Sequence, residues 1–143
     1  MSTTGPSDTQ IRVIRIVFFL FATTSFVLGA WMMFDPRSAW GSMGIDVGDD
    51  PFAAAIYGGA IMGEGAMFAL GAIRPVRYIV FLQYLMVYKT FACLAGLLVL
   101  VRMDPVPTGG WFVLAGWAFA GITAALVFPW KQWGNVEAWY GTQ

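Results

Sequence analysis

The sequence predicts an all-α polytopic membrane protein, a four-transmembrane-helix bundle forming one domain over 1–143 with both termini in the cytoplasm. Three observations predict it. The chain is 59% hydrophobic and only 11% charged, whereas a soluble domain carries about 25% charged residues, so it lacks the charge to cover a water-soluble fold. Four long apolar stretches, at about 11–34, 52–73, 76–102 and 111–130, alternate with short polar connections, and about 20 apolar residues suffice to cross a bilayer. The basic residues are asymmetric: Arg12, Arg15, Arg74, Arg77 and Lys131 fall on the side of the two termini and the second connection, against Arg37 and Arg102 on the other. The positive-inside rule then puts both termini in the cytoplasm.

Residues 1–10 are polar and include Gly5-Pro6, which predicts a disordered or interfacial tail. Arg12 and Arg15 ahead of an apolar run resemble the head of a secretory signal, but the run exceeds the roughly 7–15 residues of a signal core, so 11–34 is read as a retained first span. The linker 35–51 opens on Asp35-Pro36, which stops a helix, and closes on Asp50-Pro51, an N-cap followed by a first helical position. Its middle, Ser38-Ala39-Trp40, is placed at the membrane surface. Asp46, Asp49 and Asp50 lack the spacing of a calcium loop and are read as capping and solvated groups. The four-residue connection 74–77, Arg-Pro-Val-Arg, makes the second and third spans antiparallel neighbours. The connection 103–110 is rich in Pro and Gly and leads into the fourth span. The tail 131–143 is too short and polar to cross, and Trp133, Val136, Trp139 and Tyr140 predict that it lies along the headgroups.

Apolar side chains gain nothing from leaving lipid for one another, so spanning helices associate through small residues or polar contacts. Ala55, Gly59 and Gly63 form one small-residue ridge on the second span, and Gly116, Ala120 and Ala124 form another on the fourth. Each ridge can seat a helix of the same chain or of a second copy.

The second and third spans each carry one charge. Glu64 lies ten residues before Arg74 and Lys89 twelve after Arg77, which puts both about 15–18 Å from the turn and near mid-bilayer. An isolated charge at that depth costs about 2.5–3.5 kcal/mol on insertion scales, so each is expected to partner the other. Gly63 and Gly65 flank Glu64 and would leave room for water or a ligand. Tyr57 shares the Glu64 face, and Gln83, Tyr84, Tyr88 and Thr90 add polar atoms on the third span, as do Thr23, Thr24 and Ser25 on the first. Together they outline a polar pocket. The pair is read either as a clamp fixing helix register or as a working site. Cys93, the one cysteine, is read as a packed apolar residue.

The layout resembles that of small bacterial four-helix membrane proteins of the DoxX-like group. The features that carry the resemblance are Phe34-Asp35-Pro36 at the end of the first span, Gly44-Ile45 before Pro51-Phe52 and Tyr57-Gly58, and a compact second hairpin with Lys89 on its return helix. The resemblance implies a fold and a membrane location and carries no catalytic residue onto this sequence.

Histidine is absent, which removes the commonest general base and the usual haem and zinc ligands. No hydrolase triad, phosphate loop or dinucleotide fingerprint occurs, and Gly63-Glu64-Gly65 lies within an apolar span rather than after a strand. No metal, cofactor or nucleic acid is expected, and the lipid bilayer is the expected partner. The leading reading is a non-catalytic accessory or assembly subunit, self-associating or part of a larger membrane complex. The alternatives are a small proton-coupled transporter using Glu64, and an enzyme or binder of an apolar small molecule such as a quinone, sterol or lipid.

Overall fold

The computed structural model describes residues 6–104 and 106–130. Among them are helices α1 (Asp8–Phe34), α2 (Pro36–Gly41), α3 (Phe52–Ile73), α4 (Val80–Leu100) and α5 (Thr108–Val127). All but the short α2 are long and apolar enough to cross a membrane. The 27 residues of α1 reach about 40 Å and the 20 to 22 of the other three reach about 30 Å, which matches a hydrocarbon layer of about 30 Å. The tail 131–143 lies outside the described residues.

Local chemistry sets the helix ends and moves several from their expected places. The expected polar tail 1–10 is helical from Asp8, and residues 1–5 lie outside the described residues: Ser7 Oγ accepts the Gln10 amide at 3.2 Å and Asp8 occupies the first turn. Asp35 closes α1 by donating its amide to Trp31 O, then opens α2 by accepting the Ser38 amide at 3.2 Å, with Pro36 in the first position. What reads as a helix stop is therefore also a helix start. Asp50 accepts the Phe52 amide at 3.0 Å across Pro51, but α3 begins one residue later than the Asp-Pro pair predicts: Pro51 is its N-cap and Phe52 its first residue, so Asp50 holds the entering chain from outside the helix. Pro75 has no amide to donate, and regular helix resumes only at Val80, so the second connection is longer than 74–77. Pro129 drives Phe128 into an extended conformation (ψ 133°) and ends α5 at Val127. In the acidic linker, Asp46 accepts the Gly48 amide at 2.9 Å and Arg37 donates to Asp49 O at 2.8 Å.

The spanning helices pack as two antiparallel pairs, α1 with α3 and α4 with α5, whereas α3 and α4 touch over a short stretch only. The turn between the second and third spans thus joins two pairs instead of building one. The α1–α3 seam is glycine-built. A Cβ at Gly29 would stand 2.7 Å from Met62 N, one at Gly58 would meet the Met33 backbone, and one at Gly65 would stand 3.3 Å from Ala22 O. Such backbone approach is what lipid-immersed helices need in order to associate. The α4–α5 seam uses side chains, with Leu114 filling the space over Gly96 and Leu100 that over Gly110.

Two buried clusters tie the pairs together at opposite ends. Near the second connection, Phe18 and Phe68 meet Leu82, Leu85, Ala124 and Phe128, so all four spanning helices contribute. At the other end Met32, Ala39 and Ile61 are covered by Trp40, Met43 and Tyr57, and Met43 seats on Gly109 at the start of α5. The remaining apolar surface points outward: Leu126 is 80% exposed and Phe112 74%. Such a surface is a liability in water and is matched by acyl chains in a bilayer.

Candidate functional site

Between the two clusters lies the ion pair. Glu64, midway along α3, and Lys89, midway along α4, are buried at 8% and 7% exposure. Lys89 Nζ donates to Glu64 Oε1 at 3.3 Å and Oε2 at 3.2 Å. The third face of the ammonium meets aromatic rings, Tyr88 at 4.5 Å and Trp117 at 5.9 Å from the ring centroids. Gly121 of α5 lies against the lysine stem, where a Cβ would stand in ordinary contact, 3.5 Å from Lys89 Cβ.

The pair forms part of the wall of a cavity of about 270 Å³. Its other walls are Phe21, Thr24, Ser25, Leu28 and Met32 of α1, Tyr57, Ile61 and Phe68 of α3, Leu85 of α4, and Phe112, Val113, Gly116, Trp117 and Ala120 of α5. Trp40 and Met43 close the end beneath the first connection. Lining residues Thr24, Phe112 and Gly116 are also exposed, so the cavity opens sideways between α1 and α5.

The expected pocket residues divide. Tyr57, Glu64, Lys89, Thr24 and Ser25 line the cavity; Thr23, Gly63, Gly65, Gln83, Tyr84 and Tyr88 do not. Thr23 and Thr24 turn their hydroxyls back to Phe19 O and Leu20 O at 3.0 and 2.9 Å. Gly65 faces α1, and Gly63 is exposed with open space where a Cβ would go. Tyr84 and Tyr88 stack with centroids 5.5 Å apart. Cys93 directs its thiol to Leu114 O at 3.8 Å.

Of the two small-residue ridges, Ala55 is half-buried and Gly59 is in ordinary contact with Met33 Sδ at 3.7 Å, while the closest approach to α1 lies one face over, at Gly58 and Gly65. On α5 the ridge runs from exposed Gly116 through half-buried Ala120 to Ala124, which is fully buried in the four-helix cluster.

The residues that sequence reasoning missed are Trp40, Met43, Phe112 and Trp117. A signal for the first two was present, because Asp35-Pro36 is the same dipeptide as Asp50-Pro51 and so announces α2. Nothing in the sequence singles out Phe112 or Trp117 among the many aromatics of an apolar span.

Two polar atoms in this wall stand out. Among the described residues, Trp40 Nε1 and Tyr57 Oη are buried side-chain atoms with no hydrogen-bond partner. The Tyr57 hydroxyl lies within interaction distance of that of Tyr88. The Trp40 and Tyr57 rings are neighbours, with centroids 5.6 Å apart. Leaving a buried donor unmatched costs about 1–3 kcal/mol.

No family model matches the chain, and neither a curated protein nor a solved structure matches it.

Proposed function

We propose that this small polytopic membrane protein is a non-catalytic binder that holds a largely apolar molecule in the cavity between its two helix pairs. The observation that carries the reading is the cavity itself, walled largely by apolar side chains of all four spanning helices, with Thr24, Ser25, Tyr57 and the paired Glu64 and Lys89 as its polar members. A volume of about 270 Å³ is near the lower end of small-molecule sites; it suits the head of a lipid-like molecule whose tail trails out between α1 and α5. In this reading the Glu64–Lys89 pair is a clamp that joins α3 to α4 and fixes the shape of the cavity.

A proton-coupled carrier is less well supported, since both oxygens of Glu64 are held by Lys89. Assembly with a second copy or within a larger membrane complex is a compatible second reading, favoured by the outward apolar face of α5 around Phe112, Phe119 and Leu126. The basic-residue asymmetry supports an orientation with both termini in the cytoplasm, and a bacterial cytoplasmic (inner) membrane is the proposed location.

Native mass spectrometry of the full chain released from mild detergent tests the binding reading. A bound small apolar species is expected on the wild type and is expected to be lost in Ala120→Phe, which fills the cavity. A bare wild-type chain whose unfolding temperature does not respond to added membrane lipid extract would overturn it.

A further inference from the structure

The geometry points to a binding site for an anionic phospholipid on the outer edge of the α1–α3 seam, its phosphate held among Arg12, Arg15, Arg74 and Arg77. The site lies apart from the cavity and does not depend on the binding reading above.

The register of the seam brings the four arginines together. A Cβ at Gly71 would meet the Phe18 ring, so these two residues are level. Because α1 and α3 run antiparallel, three residues further toward the same end Arg15 stands level with Arg74. Arg12 lies about 4.5 Å beyond Arg15 along α1. After Arg74 the chain stays close, since the Arg74 carbonyl accepts the Tyr78 amide at 3.2 Å, which keeps Arg77 within one turn. All four arginines are exposed.

Little on the chain answers this charge. Among the described residues the ion pair is Glu64–Lys89, at mid-bundle, and Asp8 is the one acid at the arginine end. Arg77 lies over the Tyr78 ring, 5.7 Å from its centroid, a contact that leaves its charge uncompensated. Arg37, at the other end, is different: it donates to Asp49 O at 2.8 Å, in a segment that also carries Asp35, Asp46 and Asp50. The positive-inside rule accounts for the sign of an end. It does not require the charges to converge at one level, where they repel. A phosphate among them relieves that repulsion and matches the fork of a guanidinium.

Beneath the arginines runs a strip suited to an acyl chain. Phe26 lies against α3, since a Cβ at Gly65 would stand 3.2 Å from its Cγ, and yet it is exposed. It therefore marks the lipid-facing edge of the seam. Two turns earlier the exposed Phe19 continues that edge, and two turns before it comes Arg12. Exposed Ile73 lies just under Arg74 on α3. A cationic head above an apolar strip fits an amphiphile rather than a free anion, and basic clusters between spanning helices bind anionic headgroups in this way.

The test uses the full chain in phosphatidylcholine vesicles containing a trace of phosphatidylglycerol that carries a diazirine on one acyl chain. Photo-adducts are mapped by mass spectrometry and are expected to concentrate on residues 16–26 and on the last turn of α3. Unlabelled phosphatidylglycerol is expected to displace the probe at about tenfold lower concentration than zwitterionic phosphatidylethanolamine. The preference should vanish in Arg15→Gln/Arg74→Gln and persist in Arg37→Gln/Arg102→Gln, which removes the same charge from the opposite end. The wild type alone supplies a second measure: the preference should fall several-fold between about 0.1 M and about 1 M salt, as the Debye length shrinks from about 10 Å to about 3 Å.

Adducts spread evenly over the exposed faces of all four spanning helices would overturn the site, as would equal displacement by the two lipids. A preference that survives in Arg15→Gln/Arg74→Gln, or resists salt, would overturn its assignment to the arginines. Equal loss in both double variants would reduce the effect to net charge and overturn it too. Displacement by inorganic phosphate as effective as that by phosphatidylglycerol would make this a bare anion site and overturn the lipid.

Discussion

Both carboxylate oxygens of Glu64 face the single ammonium of Lys89, at 3.3 and 3.2 Å, where α3 and α4 meet. Removing one partner leaves the other charge buried. Glu64→Gln and Lys89→Met are each expected to cost about 3–5 kcal/mol. The double variant should lose clearly less than the sum, with a coupling of about 0.5–3 kcal/mol. Denaturant unfolding in mixed micelles measures this cycle, and strictly additive losses would mean that the two charges do not stabilise one another.

The glycine seam of α1 and α3 makes a second prediction because it ranks neighbouring glycines. A Cβ at Gly58 meets the Met33 backbone, and at Gly63 it meets nothing within 4 Å. Gly58→Ala should lower stability by about 1–3 kcal/mol through overpacking, and Gly63→Ala should stay within about 0.5 kcal/mol of wild type. Thermal unfolding of the two variants side by side checks the order; equal effects would place the seam elsewhere.

The unmatched hydroxyl of Tyr57 has a signature in the ligand-free protein. Tyr57→Phe removes a buried group that has no partner, so after exhaustive delipidation the variant is expected to match or exceed wild-type stability by up to about 1 kcal/mol. A less stable variant would mean that the hydroxyl has a partner within the chain, with Tyr88 the nearest candidate.

Orientation is tested with single cysteines in a Cys93→Ser background, since Cys93 is the one native thiol. Ser38 and Arg77 are exposed at opposite ends of the bundle. An impermeant maleimide applied to spheroplasts should label Ser38→Cys promptly and Arg77→Cys only after permeabilisation. The reverse pattern would put the termini outside the cell.

Much of the fold was legible because lipid imposes simple rules. Span length and break residues place four crossings, and the Asp-Pro pairs mark helix starts. The pairing of Glu64 with Lys89 was legible too, because two costly charges at one depth need each other. The choice of neighbours was not. A four-residue connection suggested that α3 packs along α4, yet the closest backbone contact of α3 is with α1, because the glycines that permit it face that way. The face itself was hidden by helix geometry. At 3.6 residues per turn, Gly63 and Gly65 lie about 100° to either side of Glu64, so with Glu64 turned inward only one of them can meet α1. Composition does not say which. Trp40 was placed at the membrane surface because α2 went unseen, although Asp35-Pro36 is the same dipeptide as Asp50-Pro51 and caps α2 outright.

The order in which the ion pair is synthesised follows from its place in the chain. Glu64 precedes Lys89 by 25 residues, so the ribosome delivers the acid before its base. Helix α3 therefore reaches the insertion machinery while its counter-charge is still inside the ribosome. Biogenesis has to keep α3 beside a water-lined channel, or docked on α1 along the glycine seam, until α4 is released to join it.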